Sequence, residues 1–278
     1  MERLQQAIER ARKERAGRIG NVPSFENRHD TPAAGFPVAA ATNGSRDWQP
    51  PPNPIEYTET RVVPLDEEHM ETHRIIAGSV EDERVEAYRQ LRTQVLHTLS
   101  ENNWNTLAIT SPLNNAGKTL TSVNLAISLA QEVNHSVLLV DVDLSHPDVH
   151  KTMGIEVELG LIDVLEGRAT IAETLINPEL QRLVVLPCRP TEEYSSEQLT
   201  SPAMANLLQE LRTRYSSRII IFDLPPLLRN DDALKFTPFT DATLMVVEAG
   251  STTPEQLERA THLMKNANLI GTILNKAR

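Results

Sequence analysis

Three groups of residues have types and spacings that could do chemistry. Gly117-Lys118-Thr119 closes a loop that starts at Ser111 and opens a run with helical spacing. Glycine lets the backbone approach a phosphate, and successive N–H groups with a helix N-terminus make an anion-binding nest. Lysine can reach the β/γ-phosphates and the threonine hydroxyl can ligate Mg²⁺. Asn115, Ala116 and Leu120 flank the motif and belong to the same candidate nucleotide-contacting segment. The second group is Asp141 and Asp143, directly after Val137-Leu138-Leu139-Val140. The third is Asp223, directly after Ile219-Ile220-Ile221-Phe222 and before Leu224-Pro225-Pro226. A Mg²⁺–nucleotide site needs hard oxygen ligands of this kind, some acting through water. The loop departs from the usual pattern, with Pro112 at the first glycine position and Asn114-Asn115 in a segment often richer in glycine. Asparagine tolerates the left-handed backbone that such loops use.

These groups must be delivered by strands and helices. Strands are expected near Leu107–Thr110, Val137–Val140, Leu183–Leu186, Ile219–Phe222, Leu244–Val247 and Leu269–Leu274. Their Val/Ile/Leu runs are near-continuous, the mark of parallel strands buried on both faces. Helical patterns run from about Glu81 to Leu99, Lys118 to Gln131, Pro202 to Tyr215 and Pro254 to Asn266. The alternation predicts a doubly wound α/β fold with a mainly parallel sheet. Ligands bind such sheets at the carboxyl ends of the strands, where Lys118, Asp141 and Asp223 all fall.

Ahead of this domain, which is expected over residues 66–278, two other segments differ in composition. Residues 1–17 carry Leu4, Ala7, Ile8 and Ala11 on one stripe among many arginines, and read as an amphipathic helix that docks on a membrane surface or partner, or as a marginal solvated helix. Residues 18–65 are rich in Pro, Gly, Asn, Thr and Ala, which predicts a flexible, disordered linker. The net charge of −11 argues against a nucleic-acid-binding surface. Cys188 is the single cysteine, so no internal disulfide is possible and a reducing cytoplasm is expected. No apolar run reaches the roughly 20 residues that span a bilayer, and no signal peptide is visible.

The sequence GKT, then VLLVDVDLSHPDVH, then IIIFDLPP resembles the bacterial tyrosine kinases (BY-kinases, of the CpsD/CapB-like kind) of capsule and exopolysaccharide assembly. The Gly160–Gly167 segment GLIDVLEG, the SSEQL run from Ser195, Ser201-Pro202, Asp232-Ala233, the run DATLMVV from Asp241 and the closing Leu274-Asn275-Lys276 are similar as well. The resemblance covers about Asp66 to Arg278 and implies a P-loop NTPase fold of SIMIBI/MinD-like type, with ATP and Mg²⁺ as cofactors. It implies that Lys118 neutralises phosphate charge, Thr119 ligates Mg²⁺ and Asp223 holds the metal through water. Asp141 would assist the metal and act as base toward a tyrosine hydroxyl, Asp143 would position the site, and Asn275 would contact the nucleotide base. It also implies a ring of subunits. Glu86, Arg89 and Arg92 share one side of a helix, and in this family such an ExxRxxR helix pairs charges between neighbours. The implied partner is a membrane-bound polysaccharide co-polymerase adaptor, which would place a cytoplasmic protein at the inner face of the membrane.

Departures from the family pattern matter. Ser145 stands where an arginine usually follows, and the sequence ends at Lys276-Ala277-Arg278 without a tyrosine cluster. Of the four tyrosines, Tyr57 in the linker is then the expected acceptor, ahead of Tyr88, Tyr194 and Tyr215. A scaffold that binds ATP with little chemistry is the alternative, as is a ParA/MinD-type spatial organiser. Leu113 stands where the latter carry a lysine. His146 and His150 flanking Asp148 raise a zinc site, against which Pro147 and the absence of a nearby cysteine weigh.

Overall fold

The computed structural model describes residues 60–79, 82, 84–190, 196–213 and 218–277. The helix expected over 1–17, residues 18–59 of the linker, and Tyr57, Tyr194 and Tyr215 lie outside them. Eight strands form one sheet in the order β1-β4-β5-β3-β6-β2-β7-β8. They are β1 (Arg61–Val62), β2 (Thr106–Thr110), β3 (Ser136–Asp141), β4 (Ile176–Asn177), β5 (Leu183–Leu186), β6 (Arg218–Asp223), β7 (Ala242–Glu248) and β8 (Leu269–Asn275). From β5 to β8 every pairing is parallel, and β4 runs antiparallel to β5. Each residue of β2 and of β6 is buried, which is what continuous apolar runs achieve only with cover on both faces.

Helices supply that cover: α1 (Glu67–Thr72), α2 (Val85–Asn102), α3 (Lys118–Ala130), α4 (Val149–Met153), α5 (Leu161–Leu165), α6 (Ile171–Thr174), α7 (Pro202–Thr213), α8 (Asp232–Phe236) and α9 (Pro254–Leu263). Every residue of α3 but Leu120 is buried, so the helix after the phosphate loop is the centre of the core. Val95 and Leu99 of α2 join the same cluster. That helix starts four residues later than its periodicity suggests, because the Asp82 carboxylate accepts the Arg84 N–H (2.8 Å) and holds a turn there. It runs on to Asn102, where left-handed Asn103 (φ 54°) stops it. At α9 a capping box between Thr253 and Gln256 sets the start.

Ahead of Asp66, Arg61–Val62 pairs with β4 and the Val63 N–H donates to Asn177 O (2.8 Å). Two-residue strands carry no readable period, so β1 and β4 were not visible as patterns.

Register brings the acidic groups together. Asp141 ends β3 directly opposite Asp223 at the end of β6, and Asp223 pairs in turn with Ile109 of β2. The carboxyl ends of three adjacent strands therefore meet at the loop that leads into α3.

Candidate nucleotide site

The loop between β2 and α3 is shaped by two left-handed residues, Asn115 (φ 61°) and Gly117 (φ 93°). Gly117 is required on two grounds. Its backbone conformation is strained for any side chain, and a Cβ there would sit 2.1 Å from Asn275 Nδ2. Asn275 Nδ2 donates to Ala116 O (2.9 Å), while Lys276 Nζ donates to Asn115 O (2.7 Å) and pairs with Glu248 (3.1 Å). The end of β8 thus clamps the carbonyls of the loop. The amide nitrogens of Lys118, Thr119 and Leu120 have no intrahelical acceptor by helix geometry, since Thr121 N–H is the one that reaches Gly117 O (2.9 Å). They are the donors that a phosphate would use.

Beneath the loop, Lys118 Nζ lies 3.0 Å from Asp143 Oδ2 and 3.9 Å from Asp223 Oδ2. Thr119 Oγ1 donates to Asp223 Oδ2 (2.7 Å), and Ser122 Oγ lies 2.9 Å from Asp223 Oδ1. Asp141 accepts from the backbone N–H groups of Asp143 (3.2 Å), Asp148 (3.0 Å) and Val149 (3.0 Å), so it ties the loop after β3 to the start of α4. All three aspartates are buried beside one ammonium. Burial, together with the charge of Asp223, pushes the Asp141 carboxyl well up. Burial also raises Asp223, against the pull of Lys118, Thr119 and Ser122. For Lys118 burial works downward, but the attraction of Asp223 and Asp143 outweighs it and the amine is held charged.

A surplus of buried carboxylate over ammonium is the environment a divalent cation relieves. Thr119, Asp223 and Asp141 are the residues that could hold Mg²⁺. Among the described residues no three His, Cys, Asp or Glu side chains gather into a metal cage, which suits a cation completed by phosphate oxygens and water. His146 and His150 likewise form no such cluster, so the zinc reading has no support in the structure. Ser122 was missed at the sequence level, although its place three residues after Thr119 puts it on the same helical face.

Other singled-out residues divide between the site and the scaffold. Asp163, in the segment from Gly160 to Gly167, accepts from Gly160 N–H (2.9 Å), Arg168 Nε (3.0 Å) and Arg189 Nε (2.8 Å). Burial works to raise its carboxyl, but Arg189, Gly160 and Arg168 hold it down to about 2. It is a structural clamp. On α2, Glu86 and Arg89 are exposed and pair with each other at 3.7 Å. Arg92 instead turns inward, donating to Ser128 O (3.0 Å) and pairing with Glu132 (3.1 Å) of its own chain. Tyr88 is half-buried and hydrogen-bonds Thr121; burial, partly offset by that bond, raises its hydroxyl.

The AAA domain family profile matches residues 105–276. The tyrosine-protein kinase YwqD of Bacillus subtilis is 31% identical over 192 residues, which is 68% of this chain and 80% of YwqD. This chain belongs to the bacterial tyrosine-kinase family. It is an ATP-binding, kinase-like P-loop protein of that family. The succinoglycan biosynthesis transport protein ExoP of Rhizobium meliloti is 29% identical over 73% of this chain, which spans only 26% of ExoP. The crystal structure of the chimerical protein CapA2B2 superposes with a TM-score of 0.69 at 26% identity, over 78% of this chain and 93% of that one. Among the described residues no helix is long and apolar enough to cross a membrane.

Proposed function

We propose that this chain transfers the γ-phosphoryl group of Mg-ATP to tyrosine, and that the phosphorylation regulates exopolysaccharide polymerisation and export. The carrying observation is Lys118 Nζ held between Asp143 and Asp223, with Thr119 on Asp223, at the carboxyl ends of three adjacent strands. Asp143 aims the lysine at the phosphates. Thr119, Asp223 and Asp141 would hold Mg²⁺, which would supply neutralisation of the phosphate charge. Asp141 receives the proton from the tyrosine hydroxyl as its oxygen takes the phosphoryl group and ADP leaves. Glu86 and Arg89 face a neighbouring subunit in a ring, while Arg92 holds α2 against α3. The polysaccharide role rests on the likeness to ExoP, a succinoglycan biosynthesis transport protein, and a membrane-bound co-polymerase adaptor brings the chain to the inner face of the membrane.

The test is incubation with Mg-ATP labelled at the γ-position, followed by mass spectrometry. Phosphotyrosine on Tyr57, absent from Lys118→Ala, is the expected result. Label recovered only as inorganic phosphate, with an adaptor present, overturns tyrosine transfer. A second reading, a nucleotide-responsive scaffold, draws on Asp141, whose two oxygens already accept three backbone N–H groups and leave little capacity for a base.

A further inference from the structure

A second cation stands at the open edge of the phosphate site. The chain leaving β6 runs along the start of the phosphate loop: Leu227 N–H donates to Ser111 O (2.8 Å) and Leu228 N–H to Pro112 O (3.1 Å). Thr110 Oγ1 fixes the turn before them by donating to Pro225 O (2.7 Å). The next residue, Arg229, is thereby set between the phosphate loop and the loop after β3. Its side chain is exposed, and Nη2 lies 3.0 Å from His146 Nε2.

Hydrogen-bond chemistry gives this contact a direction. A guanidinium only donates, so His146 Nε2 accepts and the ring proton sits on Nδ1. Nδ1 then donates to Ser145 Oγ (3.1 Å), and the Ser145 hydroxyl donates to Asp143 Oδ1 (3.1 Å). The other Asp143 oxygen lies 3.0 Å from Lys118 Nζ. Three donor-to-acceptor contacts therefore run from Arg229 to Asp143, and Lys118 donates to the same carboxylate from the other side. The charge is different at the two ends. Lys118 is neutralised by buried aspartates, Lys276 by Glu248 and Arg212 by Asp241, whereas Arg229 meets an imidazole.

Phosphoryl transfer spreads negative charge over the γ-oxygens and the leaving oxygen, and proteins meet it with positioned cations. We propose that Arg229 is a catalytic residue of this chain: on nucleotide binding its guanidinium exchanges His146 for the terminal phosphate and stabilises the transferring group. His146, oriented through Ser145 and Asp143, holds the arginine ready in the nucleotide-free protein. The proposal rests on the kinase reading above. Arg229 forms no bond to phosphorus, so the γ-phosphoryl group still passes from ATP to the acceptor oxygen and ADP leaves.

The test is the affinity of wild type, Arg229→Ala and Arg229→Lys for Mg-ADP, and for Mg-ADP with aluminium fluoride as a transition-state mimic. Arg229→Ala should bind Mg-ADP like wild type but lose roughly 10- to 100-fold in affinity for the mimic. Lysine should recover only part of that loss, because it replaces a planar fork with a point charge. Equal loss for both ligands would make Arg229 a structural residue and overturn the proposal, as would unchanged binding of the mimic. Wild-type protein that binds no Mg-ADP would instead sink the nucleotide reading beneath it.

Discussion

Gly117→Ala tests how the phosphate loop is held. An alanine Cβ would lie 2.1 Å from Asn275 Nδ2, so the Asn275 side chain must rotate away and release Ala116 O. A net intramolecular hydrogen bond is worth about 1 kcal/mol. Keeping a non-glycine residue at φ 93° costs a further ~1–2 kcal/mol. The variant should therefore lose about 2–3 kcal/mol, or roughly 5–10 °C in Tm for a domain of this size. Asn275→Ala alone should lose about 1 kcal/mol. Because Gly117→Ala already breaks that bond, the double variant should match Gly117→Ala to within about 0.5 kcal/mol. Urea denaturation of all four proteins measures the cycle. Additive penalties, or a loss below about 0.5 kcal/mol for Gly117→Ala, would refute a clash relieved through Asn275.

Other substitutions separate scaffold from site. The folded Asp163 carboxyl titrates near 2, below its ordinary 3.8, so its contribution is complete above about pH 4 and disappears as pH falls through 2. Asp163→Asn should thus lose about 2 kcal/mol at neutral pH, with the gap to wild type closing in denaturation curves taken from pH 4 downward. Arg92→Ala should cost about 1–2 kcal/mol in stability through its lost contacts to α3. Arg89→Ala should stay within about 0.5 kcal/mol, its pair being exposed, yet shrink the oligomer in size-exclusion with light scattering. A smaller assembly for Arg92→Ala with Arg89→Ala unchanged would reverse those assignments. Since Asp141 and Asp223 are raised in the nucleotide-free protein, a bound cation should release protons and Mg-ATP affinity should rise with pH. Titration calorimetry in buffers of different ionisation heat reads that release directly.

Much of the candidate site is legible because its aspartates lie at the ends of strands with continuous Val/Ile runs. Strand and helix pattern alone puts Lys118, Asp141 and Asp223 on one sheet edge, and register sets Asp141 opposite Asp223. Asn275 shows what periodicity cannot carry. It meets Ala116 because β8 lies beside β7 and β7 beside β2, a pairing between residues 159 positions apart, and its amide holds the loop. Arg92 shares a helical face with Glu86 and Arg89 by spacing, but packing of α2 on α3 turns it inward. The contact between Arg229 and His146 spans 83 positions and depends on the loop from β6 following the phosphate loop.

The most direct measurement is isothermal titration of Mg-ATP into wild type and Lys118→Ala, with folding of both checked by denaturation. Removing the ammonium between Asp143 and Asp223 deletes charged hydrogen bonds worth roughly 1.5–3 kcal/mol each. The dissociation constant should rise by at least about tenfold. A folded Lys118→Ala protein that binds Mg-ATP with an unchanged constant would contradict the placement of the phosphates at Gly117-Lys118-Thr119.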